Sequence, residues 1–334
     1  MIYCFGEILL RFSPAANGSW IEQATMPVFV GGAELNVATA LAGWGLPVQY
    51  ASVLPKNSLA DDMADYIAQK GIDSSGLIRG GERVGTYYLP QGKDLKNAGV
   101  IYDRANSSFA NLKPGKVDWD AALTGINWLH ISAISPALNQ SVADVCLELA
   151  MAASAKNIPI SIDLNHRARL WQYGAAPIDI MPGLVDYCNV VMGNIWSANA
   201  LLGIPVDEYI HDKGQPIDYL AHAQTTSETI LAQFPRCHTV ANTFRFNTQP
   251  AGIRYYTTLF TDGGQYVSPT FETDTVADQI GSGDCFMAGL IYGLYQQHPP
   301  QTVLDFAAAA AFGKLQEIGD ATRQTVADVE RRLL

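Results

Sequence analysis

The chain has 334 residues, 48% of them hydrophobic, enough for one large α/β unit with a substantial core. A formal net charge of −11 argues against nucleic acid or an anionic membrane surface as a partner, and an anionic ligand must be met by individually placed arginines. Cys4, Cys146, Cys188, Cys237 and Cys285 are scattered and odd in number with no C-x-x-C pair, which reads as a reduced, cytoplasmic protein without a disulfide scaffold or zinc site. Met1 leads into a strand-like run that soon meets Glu7 and Arg11, so neither a signal peptide nor a membrane span is expected there.

Residues 2–5 read as a buried first strand ending in a turn at Gly6-Glu7. Strand-like pieces follow at 8–13 and 25–30, around a polar turn at Asn17-Gly18. Gly31-Gly32 then opens a helix running through 37–41, with Asn36 about one turn inside it. A glycine pair at a helix start lets a small ligand approach the backbone, although it also serves as a plain turn before a core helix. After a helix over 61–70 the pattern changes to alternation. Residues 84–89 and 99–104 read as two strands with a polar connection at 93–97, and Tyr102 and Arg104, two apart, point to one side.

Residues 128–132 form the next strand, 143–155 the next helix, and 159–167 a buried strand with a polar tip. Asp163, Asn165 and Arg167 alternate there and could share one face at the strand's C-terminal edge, where open α/β sheets bind ligands. A strand at 190–194 and a helix over 197–202 come next. Residues 255–260, Asp262-Gly263-Gly264 and Tyr266-Val267 read as a hairpin.

Asp278-Gln279-Ile280-Gly281-Ser282-Gly283-Asp284 then leads straight into an apolar, helix-compatible run. Two glycines around one small residue let successive N–H groups point into one concavity, and the following helix adds its positive end, which together suit a phosphate. Asp284 beside that concavity is either a base for an attacking hydroxyl or an ordinary first-turn aspartate. An alanine run within 307–314, which by itself means only close helix packing, and Gly319-Asp320-Ala321 follow. Alternating strands and helices predict a predominantly parallel sheet covered on both faces. Residues 80–86 have Walker A glycine spacing but lack the lysine, and no His-Glu-x-x-His run occurs.

The stretch at 278–284 resembles the C-terminal signature of the ribokinase-like (PfkB) sugar kinases, Asp-Thr-x-Gly-Ala-Gly-Asp, with Gln279 and Ser282 in place of Thr and Ala. Gly31 to Asn36 is similar to that family's N-terminal Gly-Gly-Ala-x-x-Asn motif. Gly85-Thr86-Tyr87, Tyr102-Asp103-Arg104, and Asp163 to Arg167 followed by Leu170-Trp171 look like its 2-keto-3-deoxygluconate kinase branch. The resemblance covers nearly the whole chain. It implies an α/β, three-layer α/β/α ribokinase-like fold with a small β-sheet lid, as one domain over 1–334 with lid strands from about 8–30 and 84–104.

It also implies ATP-dependent phosphorylation of the terminal hydroxyl of a sugar acid, first of all 2-keto-3-deoxygluconate. A neutral-sugar kinase such as fructokinase, and a sugar-binding regulator with degraded activity, are the alternatives. The implied base is Asp284, and the implied anion hole Gly281, Ser282 and Gly283. Gly32, Asn36, Tyr87, Tyr102, Arg104 and Arg167 would hold the sugar acid, and Asn194 and Arg245 would join Gly281 and Gly283 around the nucleotide. Mg²⁺ is implied with ATP, as is a homo-oligomer built through the lid strands. Two departures stand out. Ser197 occupies the place of the family's Asn-x-x-Glu carboxylate, which orders Mg²⁺ through water, and 240–247 lack the usual Gly-x-x-Gly turn.

Overall fold

A strand flanked by helices on both sides buries both of its faces and sends alternate side chains into different cores. β1 (Ile2–Phe5) of the computed structural model, which describes residues 1–14, 20, 25–91, 99–210, 216–248 and 252–334, is buried throughout. Ile2 and Cys4 enter one core, Tyr3 and Phe5 the other. The same split recurs along the central sheet, with Val190 and Met192 on the first side and Val191 on the second.

The strands of that sheet are β4 (Val48–Leu54), β5 (Leu77–Arg79), β8 (Trp128–Ser132), β9 (Ile160–Asp163), β10 (Val190–Gly193), β11 (Thr239–Thr248), β12 (Gly252–Thr261), β13 (Gly264–Val267) and β14 (Phe271–Thr273), with β1. They lie in the order β13-β12-β11-β10-β9-β8-β1-β4-β5, with β14 also on β12. Pairings from β11 through β1 to β5 are parallel, and those made by β12 are antiparallel. A second sheet has the order β3-β2-β6-β7, from β2 (Leu9–Phe12), β3 (Val28–Gly31), β6 (Gly85–Tyr88) and β7 (Ile101–Asp103). The expected turn at Asn17-Gly18 and the connection at 93–97 lie outside the described residues.

Helices α1 (Ala33–Gly43), α2 (Ser58–Gln69), α8 (Ser282–Tyr295), α9 (Pro300–Lys314) and α10 (Val326–Glu330) pack on the first face. The second face carries α3 (Trp119–Ala122), α4 (Gln140–Ala155), α5 (Pro177–Val185), α6 (Ile195–Leu202) and α7 (Pro216–Gln233). The result is three layers. Two helices begin three residues before their apolar pattern suggests, because Asn57 caps α2 through the Ala60 amide and Asn139 caps α4 through the Val142 amide. The β12–β13 hairpin turns at Asp262 (φ 52°) and Gly263 (φ 74°), both left-handed as a two-residue turn requires. Among the described residues no helix is long and apolar enough to cross a membrane.

α8 and α9 touch at backbone distance. A Cβ built at Gly289 would lie 2.5 Å from the Ala307 Cα. Gly289→Ala is therefore expected to destabilise the protein by about 1–3 kcal/mol in spite of alanine's better helix propensity. Gly183 is also helical, exposed, and has open space beside it, so Gly183→Ala should stabilise by about 0.5 kcal/mol. Urea titration of both variants checks the opposite signs.

Candidate active site

The C-terminal ends of β9 and β10, the starts of α1 and α8, β11 and the small sheet enclose a cavity of about 780 Å³. A crevice at the carboxyl edges of a parallel sheet is the usual ligand position in such folds. Every site residue expected from the sequence lines it: Gly32, Asn36, Tyr87, Tyr102, Arg104, Arg167, Asn194, Arg245, and Gly281 through Asp284, with Ser197 beside Asn194.

The glycine turn is dictated by crowding. Gly281 caps α8 with φ 77°, and a Cβ there would sit 1.8 Å from the carbonyl oxygen of Asp320. The Ser282 hydroxyl turns away and donates to the Ala311 carbonyl, so this residue presents its backbone to the cavity. The first N–H groups of α8 lack intrahelical acceptors and carry the positive end of the helix. Asp284 stands in this first turn and is 9% exposed. The Asn36 amide donates to its Oδ2 at 2.7 Å, joining two residues that the sequence reading assigned to separate duties. Burial pushes the Asp284 carboxyl up to about 6, against the lowering effects of the Asn36 hydrogen bond and of the Arg167 charge. Gly32 (φ 141°) starts α1, and a Cβ there would lie 2.4 Å from the Glu7 carbonyl oxygen.

On the small-sheet side Arg104 and Tyr87 already have carboxylate partners. Arg104 is buried, with Nε 2.6 Å from Oε2 of Glu7, and Ser107 donates to the other Glu7 oxygen. The two arginines expected to converge on a ligand carboxylate therefore differ. The charge of Arg104 is balanced within the protein, whereas among the described residues Arg167 has a hydrogen bond to the His166 carbonyl and no carboxylate partner. The Tyr87 hydroxyl donates to Oδ2 of Asp320 at 2.8 Å, and its ring centroid lies 6.3 Å from that of Tyr102.

On the opposite side, Asn194 caps α6. Its Oδ1 accepts the Ser197 N–H, and the Ser197 Oγ accepts the Asn194 N–H, each at 2.9 Å. Ser197 thus completes a reciprocal capping box with a hydroxyl where the family signature has a carboxylate. Residues 240–247 continue as β11, which pairs with β12 along its length and sets Arg245 opposite Tyr255. Among the described residues no three His, Cys, Asp or Glu side chains gather to hold a metal. Asn194 and Ser197 supply amide and hydroxyl groups and no carboxylate, so a divalent ion held beside them would keep phosphate or water ligands.

Three groups of the site escaped the sequence reading. Glu7 had one signal, an acid at the C-terminal edge of β1. Glu34 accepts from the Ser132 N–H (3.0 Å) and Oγ (2.6 Å), and burial raises its carboxyl to about 7. Arg11, the one polar residue of the strand Leu9–Phe12, places Nη2 2.8 Å from Oδ2 of Asp278 and Nε 2.7 Å from Oδ1 of Asp320. Asp278 in turn accepts the N–H groups of Ile280 and Gly319.

Comparison with known proteins agrees with this architecture. The profile of the pfkB family carbohydrate kinases matches residues 1–325, and the chain belongs to that family. It is 29% identical over 331 residues to a 2-dehydro-3-deoxygalactonokinase of Haloferax volcanii, covering 98% of this chain and 95% of the relative. It is 25% identical over 291 residues to a 2-dehydro-3-deoxygluconokinase of Bacillus subtilis, covering 87% and 82%. The crystal structure of a 2-dehydro-3-deoxygluconokinase from Thermotoga maritima superposes with a TM-score of 0.88 at 30% identity, over 99% of this chain and 98% of that one.

The environment of Asp284 leads to a measurable titration. Its carboxyl should titrate near 6, and Asn36→Ala, which removes a hydrogen bond to the charged form, should raise that value by about one pH unit. Because the folded carboxyl holds its proton more tightly than the unfolded one, this group's contribution to stability should decline as pH rises from about 4 to 6. Carbon-13 NMR of the carboxyl signals and unfolding at several pH values check both.

Proposed function

We propose that this protein transfers the γ-phosphoryl group of ATP to the terminal hydroxyl of a sugar acid, with 2-keto-3-deoxygluconate and its galactonate epimer as leading substrates. One observation carries the reading. A buried carboxylate, a glycine turn at a helix N-terminus and an arginine, Arg167, that among the described residues has no carboxylate partner line the same cavity. The names of the relatives in Haloferax volcanii, Bacillus subtilis and Thermotoga maritima support the substrate class.

In this reading Asp284 accepts the proton of the attacking hydroxyl on Oδ1, while Asn36 holds Oδ2 and fixes the carboxylate plane. The N–H groups at 281–283 meet the transferring phosphoryl oxygens, where they are preorganised for developing negative charge. Arg167 reads the ligand carboxylate with its forked donors, and the outer nitrogens of Arg104 assist, its Nε being held by Glu7. Gly32, Tyr87 and Tyr102 shape the sugar end, and Asn194 and Arg245 line the nucleotide end. Mg²⁺, when bound with ATP, would neutralise phosphate charge. Self-association through the small sheet belongs to the same proposal, since its outer strands β3 and β7 carry exposed Val28 and Ile101.

Balanced Arg104 also favours a second reading, a neutral-sugar kinase, because an arginine whose charge is already met by Glu7 adds little to a carboxylate site. ADP release measured across a panel of sugar acids, fructose and ribose separates the two. Sugar acids should give the higher kcat/KM, and Arg167→Ala should lower it for acids by about 10–10²-fold while sparing neutral sugars. An equal loss for both classes would remove Arg167 from carboxylate recognition. In the same assay Asp284→Asn should reduce turnover by about 10²–10⁴-fold. Wild-type kcat/KM should fall below a pH of about 6 as Asp284 takes up its proton, and excess chelator should abolish activity. Near-normal turnover of Asp284→Asn would rule out this base.

A further inference from the structure

We propose that Arg11 is a positioning residue for phosphoryl transfer: from the small sheet it fixes the glycine turn at 280–283, although it does not line the cavity. The inference rests on the kinase reading above. Arg11 is 2% exposed, and its guanidinium lies 4.3 Å from the centroid of the Phe29 ring. Its forked donors hold two carboxylates at once, Asp278 and Asp320. Each acid holds or touches the turn. Asp278 Oδ1 accepts the Ile280 N–H at 3.1 Å, immediately before Gly281, and its Oδ2 accepts the Gly319 N–H at 3.3 Å. The backbone of Asp320 is what leaves no room for a side chain at Gly281.

The second half of the argument lies on the cavity side. Oδ2 of Asp320 accepts the hydroxyl of Tyr87, which lines the cavity beside Tyr102. Tyr87, Asp320, Arg11, Asp278 and Ile280 therefore form one unbroken chain of hydrogen bonds from the proposed sugar end to the proposed phosphate end. Arg11 and Tyr87 are also partners in the β2–β6 register. Packing alone would be met by an apolar residue in this strand, and buried ion pairs often add little net stability. What the guanidinium supplies is a fixed angle between two acids, and through them a fixed position for the turn.

Arg11→Lys separates position from charge, because it keeps the cation and loses the fork. Expected is a fall in kcat of about 10–10²-fold with the sugar-acid KM within about threefold, as for a displaced but intact constellation. Hydrogen exchange at the Ile280 and Gly319 amides should also become faster than in wild type. A kcat within about twofold of wild type, or unchanged exchange at both amides, would overturn the proposal. Should Arg11→Lys fail to fold, the variant Arg11→Met with Asp278→Asn and Asp320→Asn leaves none of these three charges buried and takes the same readouts. Wild-type kcat in that variant would show that Arg11 only packs. If wild type releases no ADP with any sugar or sugar acid, the kinase reading fails instead, and amide exchange still tests the tether.

Discussion

Arg11 between Asp278 and Asp320 is the contact on which the geometry of the cavity turns, because it joins residues 267 and 309 positions apart from it in sequence. Taking three charges out of water costs several kcal/mol per ion, and such a cluster survives only when each remaining donor and acceptor is satisfied. Here that requirement is what shapes the site. The leftover acceptors of Asp278 are met by the amides of Ile280 and Gly319, and that of Asp320 by the Tyr87 hydroxyl. The small sheet, the turn before α8 and the loop after α9 are thereby brought into one register.

The other acids of the cavity differ in what each one faces. Glu7 faces Arg104 and Ser107 and forms a closed pair. Asp284 and Glu34 have amide or hydroxyl donors and, among the described residues, no cation in ion-pair contact, so burial dominates and raises both carboxyls above the usual range. A carboxyl poised near 6 is ionised at neutral pH and retains more proton affinity than an ordinary aspartate, which suits a base. Glu34 reaches a similar state while tying the start of α1 to the end of β8, so a raised value in this cavity does not by itself mark a base.

The frame was legible because it rests on patterns the sequence displays directly. Buried runs at 2–5 and 128–132 gave strands with the observed bounds, and the glycine pairs at 31–32 and 281–283 marked both helix starts. Helix starts were misplaced where a lone asparagine, Asn57 or Asn139, capped the chain ahead of its apolar pattern. The residues of the cavity were legible because motifs name them, but their partners were not. Nothing local in Leu9-Leu10-Arg11-Phe12 says that the arginine meets two acids near the other end of the chain, and nothing near Arg104 announces Glu7. Charge pairing over such separations is a property of the fold.

The two departures from the family signature bear on different parts of the problem. Ser197 preserves the capping box through its hydroxyl, so α6 keeps its start and the backbone at Asn194 is held with or without a carboxylate. The loss is confined to charge. In 240–247 the change is to the backbone itself: the stretch is a strand paired with β12, to which alternate N–H groups are committed, and Arg245 and Asn247 are among the residues that line the cavity there. The turn at 280–283, by contrast, keeps its glycines and is held from outside, through Asp278 and Asp320, by an arginine of the small sheet.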